Sequence, residues 1–354
     1  MTEKRIKELF NWNENPFSFR IIPETFVGYE KDIERLYQSI KDGEKFSLVI
    51  GPTGSGKTTL MRSIVKEFGK EYKYVIYLPK PPKCSEDWIV VFESVIKPGI
   101  FGSFFFRKKN INLYNLSDYV NRKLNGQKCL VLVDECHESS QESLEWLRAL
   151  TDHIDNLSIV IAGLPVFESI LKEKLESFMR RINTRIELTN LTKSETRELI
   201  KRRIEYSGGD DIKPFTSETI EYIYEITGGF PREVLRVCNE LVRKALEKNI
   251  STIDGEFVKE MQAPEDRISL KTINTLPERQ KTILKALAEK GEMSPSEIVS
   301  SININEYKNR DNAIRSVNNL LRRLMAEGFV YRKRTGKTYK YAVSSKFHTM
   351  MVDG

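Results

Sequence analysis

Eight consecutive residues, Gly51-Pro52-Thr53-Gly54-Ser55-Gly56-Lys57-Thr58, fit the spacing Gly-x-x-x-x-Gly-Lys-Ser/Thr, and chemistry dictates each fixed type. The glycines let backbone N–H groups close around phosphates, and a helix starting there adds partial positive charge. Lys57 is expected to reach the β- and γ-phosphates of ATP, Thr58 to ligate Mg²⁺, and Thr59 to border the same cradle. The bland alternative is a glycine-rich turn with a chance lysine. The apolar run before it and the helical pattern after it argue against that. An acidic pair follows a second apolar run, Cys129-Leu130-Val131-Leu132-Val133. Asp134, at the carboxyl end of that strand, is suited to hold Mg²⁺ through water. Glu135 is suited to polarise an attacking water as general base. An ordinary acidic strand end is the competing reading, and the phosphate loop weakens it.

These residues need a sheet to hold them. Short apolar runs predict strands at Ser47–Ile50, Tyr74–Leu78, Cys129–Val133 and Ser158–Ala162. Helical patterns lie between them at Thr58–Phe68, Glu86–Ile96 and Ser140–Asp152. Alternation of this kind predicts an α/β fold, a parallel sheet covered by helices on both faces. From Leu191 the pattern is helical. Thr192 and Glu195 form a capping box, a second helix spans Ser217–Thr227 before Gly228-Gly229, and Pro231 opens a third. Residues 263–275 read as a linker. The tail has its own order: a helix from Pro277, a capping box Ser294-Pro295-Ser296-Glu297, a helix over Arg310–Glu327, then strands Phe329–Arg334 and Lys337–Val343 about Thr335-Gly336. That is the order of a winged helix-turn-helix. The domains expected are a nucleotide-binding core (1–190), a helical lid (191–262), the linker and a winged helix (276–354).

With the phosphate loop and acidic strand in this order, residues 15–245 resemble the AAA+ superfamily of ATPases, with a three-layer αβα core and an α-helical lid. Phe26-Val27-Gly28-Tyr29-Glu30 is similar to the adenine-side entry motif of that family, which implies that Val27 borders the base. Arg181 and Arg185 lie where the family places its trans-acting arginine finger. Arg181 is the first choice, Arg185 the second, and a solvated arginine face the alternative. Gly229-Phe230-Pro231-Arg232 resembles the lid motif whose arginine, sensor 2, touches the γ-phosphate, which implies that role for Arg232. A planar, always-charged guanidinium suits developing phosphoryl charge. One departure stands out. The family usually has a polar sensor 1 after the fourth predicted strand, whereas this chain reads Gly163-Leu164-Pro165. No sensor 1 is assigned, and water positioning then rests more heavily on Glu135. The Gly-x-Pro form resembles the ExeA-like and TniB-like branch, which also includes MuB. The order of core, lid and winged helix resembles the archaeal origin-recognition initiators.

Charge is segregated along the chain. The last 79 residues hold 15 Lys and Arg against 8 Asp and Glu, which equals the net +7 of the whole sequence. The first 275 residues hold 42 of each sign. Such asymmetry predicts a polyanion-facing module at the C-terminus. The third tail helix carries Asn312, Arg315, Asn319 and Arg322 opposite its apolar stripe, suited to base edges or phosphates. The hairpin carries Arg332, Lys333, Arg334 and Lys337, with Lys340 beyond them, suited to duplex phosphates. A winged helix used only for protein docking is the alternative. The run Phe104-Phe105-Phe106-Arg107-Lys108-Lys109 sits in an apparent insertion. It is either a pore-facing or subunit-contacting loop or a segment folded back onto the core.

Composition excludes several classes. With 18 Phe, 14 Tyr and 40% apolar residues, the chain is not wholly disordered. No apolar run approaches a membrane span, and the N-terminal ten residues mix charges without an apolar signal core. A soluble, cytoplasmic chain is expected. Cys84, Cys129, Cys136 and Cys238 are scattered, which disfavours a zinc or disulfide framework. His137 and the cysteines read as packing residues. The function expected is a Mg²⁺-ATP-dependent ATPase that binds double-stranded DNA and assembles on it as a homo-oligomer, ring or filament, with active sites at subunit interfaces. Replication initiation, transposition and recombination or repair all fit that chemistry. Two other readings stay open: a STAND-type signalling switch that uses the winged helix as a latch, and an ExeA-like secretion ATPase, disfavoured by the lack of a membrane segment.

Overall fold

The computed structural model describes residues 2–95, 111–261, 276–302, 310–335 and 338–344. The Phe104–Lys109 run, the 263–275 linker and Lys337 lie outside the described residues. The chain divides into two compact units, one of residues 21–188 and one of residues 1–20 with 189–354.

In the first unit the apolar runs become strands: β1 (Phe46–Ile50), β2 (Tyr74–Leu78), β3 (Cys129–Val133) and β4 (Leu157–Gly163). Every residue of β1, β3 and β4 is buried, because helices cover both faces of this sheet. A fifth strand, β5 (Ile182–Glu187), lies outside the apolar runs of the sequence. It is an edge strand in which only Thr184 and Ile186 are buried, so its polar, arginine-bearing sequence reads as surface. The sheet order is β2-β3-β4-β1-β5, and every pairing is parallel. Consecutive strand residues point to opposite faces, which yields two cores. On one face Leu48, Val131 and Ile159 pack with Trp88, Leu116, Leu147 and Phe178. These come from α4 (Asp87–Val95), α5 (Leu113–Leu124), α6 (Gln141–His153) and α8 (Glu176–Met179), with α7 (Pro165–Lys174) adding Phe167 and Leu171. On the other, Val49, Leu130, Leu132 and Val160 pack with Leu36 and Ile40 of α2 (Glu30–Lys41) and Leu60 and Ile64 of α3 (Lys57–Phe68). The result is a three-layer αβα core. The carboxyl ends of β1 and β3, where the two chemical motifs begin, open on the same edge, separated by β4.

The second unit contains α1 (Thr2–Phe10) and the lid helices α9 (Lys193–Tyr206), α10 (Ser217–Thr227), α11 (Pro231–Lys248) and α12 (Gly255–Met261). The expected caps form: the Thr192 side chain accepts from Glu195 N while the Glu195 side chain accepts from Thr192 N. Such a cap contributes about 1 kcal/mol. The tail folds as α13 (Glu278–Lys290), α14 (Pro295–Ser301), α15 (Arg310–Ala326), β6 (Val330–Thr335) and β7 (Thr338–Val343). Its core joins Ile283, Leu284 and Leu287 to Val317, Leu321, Leu324 and Phe329. Ile314 and Leu320 are only partly buried, while Ala313 is fully buried. Met293 pairs with Tyr341, adding a third short segment to the wing. This is the winged-helix arrangement. Among the described residues, no helix is long and apolar enough to cross a membrane.

Candidate nucleotide-binding site

The loop after β1 turns sharply because Gly54 and Gly56 take φ angles of 96° and 102°, which side chains other than glycine rarely adopt. Gly56 caps α3 without a side-chain acceptor. The first N–H groups of α3, which lack intrahelical partners as at any helix start, have no side-chain cap from Gly56, an arrangement suited to an anion. Lys57 is only 5% exposed. Its Nζ donates to Gly51 O at 2.7 Å and Pro52 O at 2.9 Å, both inside the loop. Burial holds the Lys57 ammonium below its ordinary value, an effect that the Glu135 and Asp134 carboxylates only partly offset. Ser55 Oγ is buried with no hydrogen-bond partner. Phe26, from the entry motif, lies beside Gly56, where a Cβ would stand 3.5 Å from its ring. Val27 next to it is buried, and Tyr29 caps α2 in a left-handed conformation.

The acidic motif meets this loop. Thr58 Oγ1 donates to Asp134 Oδ2 at 2.7 Å. Tyr77, on the neighbouring strand β2, donates its hydroxyl to the same oxygen at 3.2 Å, and the Arg62 guanidinium lies 3.9 Å over the Tyr77 ring. Burial, then the Asp134 charge, push the Tyr77 phenol up to about 12, so it stays a donor at any ordinary pH. No local sequence pattern marks Tyr77, because only the β2–β3 register brings it to Asp134. Glu135 occupies the left-handed region at φ 54° and ψ 35°, an uncommon place for a non-glycine residue. Asp134 Oδ1 accepts the Glu135 N–H at 2.9 Å and supports the turn. His137 Nδ1 lies 3.4 Å from Glu135 Oε2 without the alignment of a hydrogen bond.

This donor set fits a Mg²⁺–nucleotide. It combines an orphaned buried hydroxyl (Ser55), an ammonium held only by loop carbonyls (Lys57), a helix start and an oxygen pair (Thr58 and Asp134) of the hard type that Mg²⁺ takes.

The two finger candidates are both committed within the chain. Arg181 Nε donates to Asp152 Oδ1 at 2.8 Å, and its Nη1 to Ser177 O at 2.7 Å. Arg185 pairs with Glu168 through two bonds of 3.0 and 2.8 Å, and with Glu187 at 2.8 Å. Arg181 rests on an exposed partner and Arg185 on a buried one, Glu168 at 8% exposure.

In the other unit, Gly229 has φ 75°, and a Cβ there would stand 1.9 Å from Leu191 O, so only glycine fits. Pro231 opens α11, and Arg232 is its second residue. Asn312, Arg315, Asn319 and Arg322 are all exposed along one face of α15. In the wing, Arg332 lies 4.7 Å over the Tyr339 ring. Lys333 stands 3.7 Å from Glu292, and Lys340 4.0 Å from Glu297. Arg334 belongs to β6, where it pairs with Tyr339.

Comparison with known proteins agrees with this architecture. Residues 40–171 match the AAA domain family, and residues 276–351 match the penicillinase repressor family. An uncharacterized HTH-type transcriptional regulator of Methanocaldococcus jannaschii is 26% identical over 63% of this chain and 55% of its own length. General secretion pathway protein A of Aeromonas hydrophila is 26% identical over 66% of this chain and 43% of its own. The chain thus spans about half the length of the curated relatives it matches. Among solved structures, the Aeropyrum pernix ORC2 protein in ADPNP–ADP complexes superposes with a TM-score of 0.57 at 15% identity, covering 97% of this chain and 96% of that one. The Aeropyrum pernix ORC1 protein in complex with DNA gives 0.53 at 13% identity, covering 94% of each chain. Residues 40–171 thus match an AAA domain model, the C-terminal residues form a winged helix within the span of the penicillinase repressor match, and the fold is the one seen in the two ORC proteins.

Proposed function

We propose that this chain is a Mg²⁺-ATP-dependent ATPase that binds double-stranded DNA through its winged helix and assembles on it under nucleotide control. The observation carrying the proposal is the meeting of Thr58 and Asp134 beside the Lys57 loop. In this reading the loop from Gly51 to Thr59 holds the ATP phosphates, with Lys57 neutralising their charge and Val27 bordering the base. Thr58 and Asp134 hold Mg²⁺, which when bound neutralises charge on the phosphate oxygens. Glu135 accepts a proton from water as that water attacks the γ-phosphorus and ADP leaves. Arg232, and Arg181 of a neighbouring copy, stabilise charge on the phosphoryl oxygens. For Arg181 this means exchanging its Asp152 partner for phosphate.

The DNA half of the reading is supported by the exposed polar face of α15, the basic wing, and the charge segregation into the last 79 residues. The likeness in fold to an ORC1 protein solved with DNA adds to it. Four free thiols, three of them buried, suit a reducing compartment and hence the cytoplasm. The test is phosphate release from ATP with Mg²⁺. Glu135→Gln should bind ATP yet turn over about 10²–10⁴-fold more slowly, and Lys57→Ala should lose nucleotide binding. Normal turnover by Glu135→Gln removes Glu135 from the mechanism.

A further inference from the structure

Arg232 is an arginine that the fold does not explain. A cation in the first turn of a helix opposes the helix dipole, a loss of about 0.3–1 kcal/mol. Several arginines of the chain rest on carboxylates, among them Arg181 on Asp152, Arg185 on Glu168 and Arg236 on Glu233. Among the described residues, Arg232 makes no such ion pair. Its guanidinium instead lies 5.8 Å from the centre of the Phe19 ring, within the range of a cation–π contact. Phe19 is 56% exposed, so packing does not account for it either.

The segment that presents Phe19 is held rigidly from behind. Asn15 Oδ1 accepts the Phe17 N–H at 3.0 Å, and Asn15 Nδ2 donates to Asn239 Oδ1 at 2.7 Å. Phe17 is fully buried, edge-on to Phe215 at 5.6 Å. Beyond it the buried Arg203 donates from Nη1 to three backbone carbonyls, Pro16 O at 3.4 Å, Ser18 O at 3.3 Å and Arg20 O at 3.1 Å. A guanidinium committed to carbonyls on both sides of residue 19 fixes that residue's backbone.

We propose that Phe19 is a positioning residue for Arg232, a ring platform that holds the guanidinium in place without neutralising its charge. A carboxylate partner would spend the same charge that a phosphate needs, whereas an aromatic face leaves it available. The inference rests on the reading of Arg232 as the arginine that meets the γ-phosphate. It assigns a function to the Asn15-Pro16-Phe17 segment and its carbonyl clamp: they set the position of the arginine that distinguishes ATP from ADP.

The test measures ATP and ADP affinity, with Mg²⁺, for the full chain and four variants. Phe19→Leu keeps bulk and removes the ring; it should weaken ATP by about two- to fivefold and leave ADP unchanged. Phe19→Tyr keeps the ring and should retain wild-type discrimination. Arg232→Ala should weaken ATP more than ADP, and Phe19→Leu should then add nothing in that background. Loss of discrimination in Arg232→Ala together with wild-type discrimination in Phe19→Leu overturns the proposal while leaving the Arg232 reading intact. Unchanged discrimination in Arg232→Ala overturns that reading and the proposal with it. Equal weakening of ATP and ADP by Phe19→Leu, or weakening that persists without Arg232, also overturns the platform role.

Discussion

The Thr58 hydroxyl donates to Asp134 Oδ2 at 2.7 Å, joining residues 76 positions apart, and the Tyr77 hydroxyl donates to the same oxygen. One carboxylate oxygen is thus oriented from two sides, by the start of α3 and by the adjacent strand.

Tyr77 should therefore matter to Mg²⁺ use. Tyr77→Phe removes one donor and leaves Thr58 to orient Asp134 alone. Loss of an outer partner of a metal-holding carboxylate typically costs about 10–100-fold in metal affinity or activity. The Mg²⁺ concentration giving half-maximal phosphate release should rise accordingly, with nucleotide binding in EDTA unchanged. An unaltered Mg²⁺ dependence would make the Tyr77 contact incidental.

The two arginine candidates should separate by phenotype. Arg185→Ala leaves the buried Glu168 with Lys172 as its remaining ion-pair partner and should lower stability by about 1 kcal/mol. Arg181→Ala exposes only a surface carboxylate and should melt normally, bind ATP normally and hydrolyse it poorly. Mixing Arg181→Ala with Lys57→Ala should restore some turnover, because one interface of the mixture then holds both intact parts. No rescue in mixtures shown to co-assemble would argue for a role within one subunit.

Glu168 gives stability an acid limit. Burial alone would raise its carboxyl, but hydrogen bonds and charges from Arg185 and Lys172 outweigh this and hold it below the ordinary 4.5. A depressed folded value contributes stability that is complete above 4.5 and is lost as pH falls through the lower folded value. Wild type should melt higher than Glu168→Gln near neutral pH, and the gap should narrow as pH drops below 4.5. A gap independent of pH would mean that charge is not what Glu168 contributes.

The wing should act through phosphates. In the full chain, Arg332→Ala with Lys333→Ala and Arg334→Ala should weaken duplex binding on all sequences. The log–log salt slope should become shallower by up to about 3, at about 0.9 per phosphate contact. Glu292, 3.7 Å from Lys333, should make Lys333→Ala alone cost less than Arg332→Ala alone. Arg315→Ala or Asn319→Ala, on the exposed face of α15, should instead change sequence preference. Identical salt slopes in wild type and the triple variant would remove the wing from the interface.

What the sequence revealed was written locally. The loop Gly51–Thr58, the pairs Thr192/Glu195 and Ser294/Glu297, and the apolar strands β1, β3 and β4 each encode their structure within a few residues. What stayed hidden depends on register or on distant partners. Strand β5 is polar because it is an edge, so its sequence resembles a surface loop. Tyr77 reaches Asp134 only through strand pairing, and Arg185 of β5 meets Glu168 of helix α7. Phe19 lies under Arg232 at a separation that no local pattern signals. The loop motif is legible; the residues that orient its partners are not.

ATP turnover by the full chain, with and without duplex DNA, reads both halves of the proposed function at once. An ATPase that works on DNA should show Mg²⁺-dependent phosphate release that duplex DNA alters, together with loss of that response in the wing triple variant and loss of turnover in Glu135→Gln. Retained ADP with no turnover, unmoved by duplex DNA, would contradict that function and favour a nucleotide switch latched by its own winged helix.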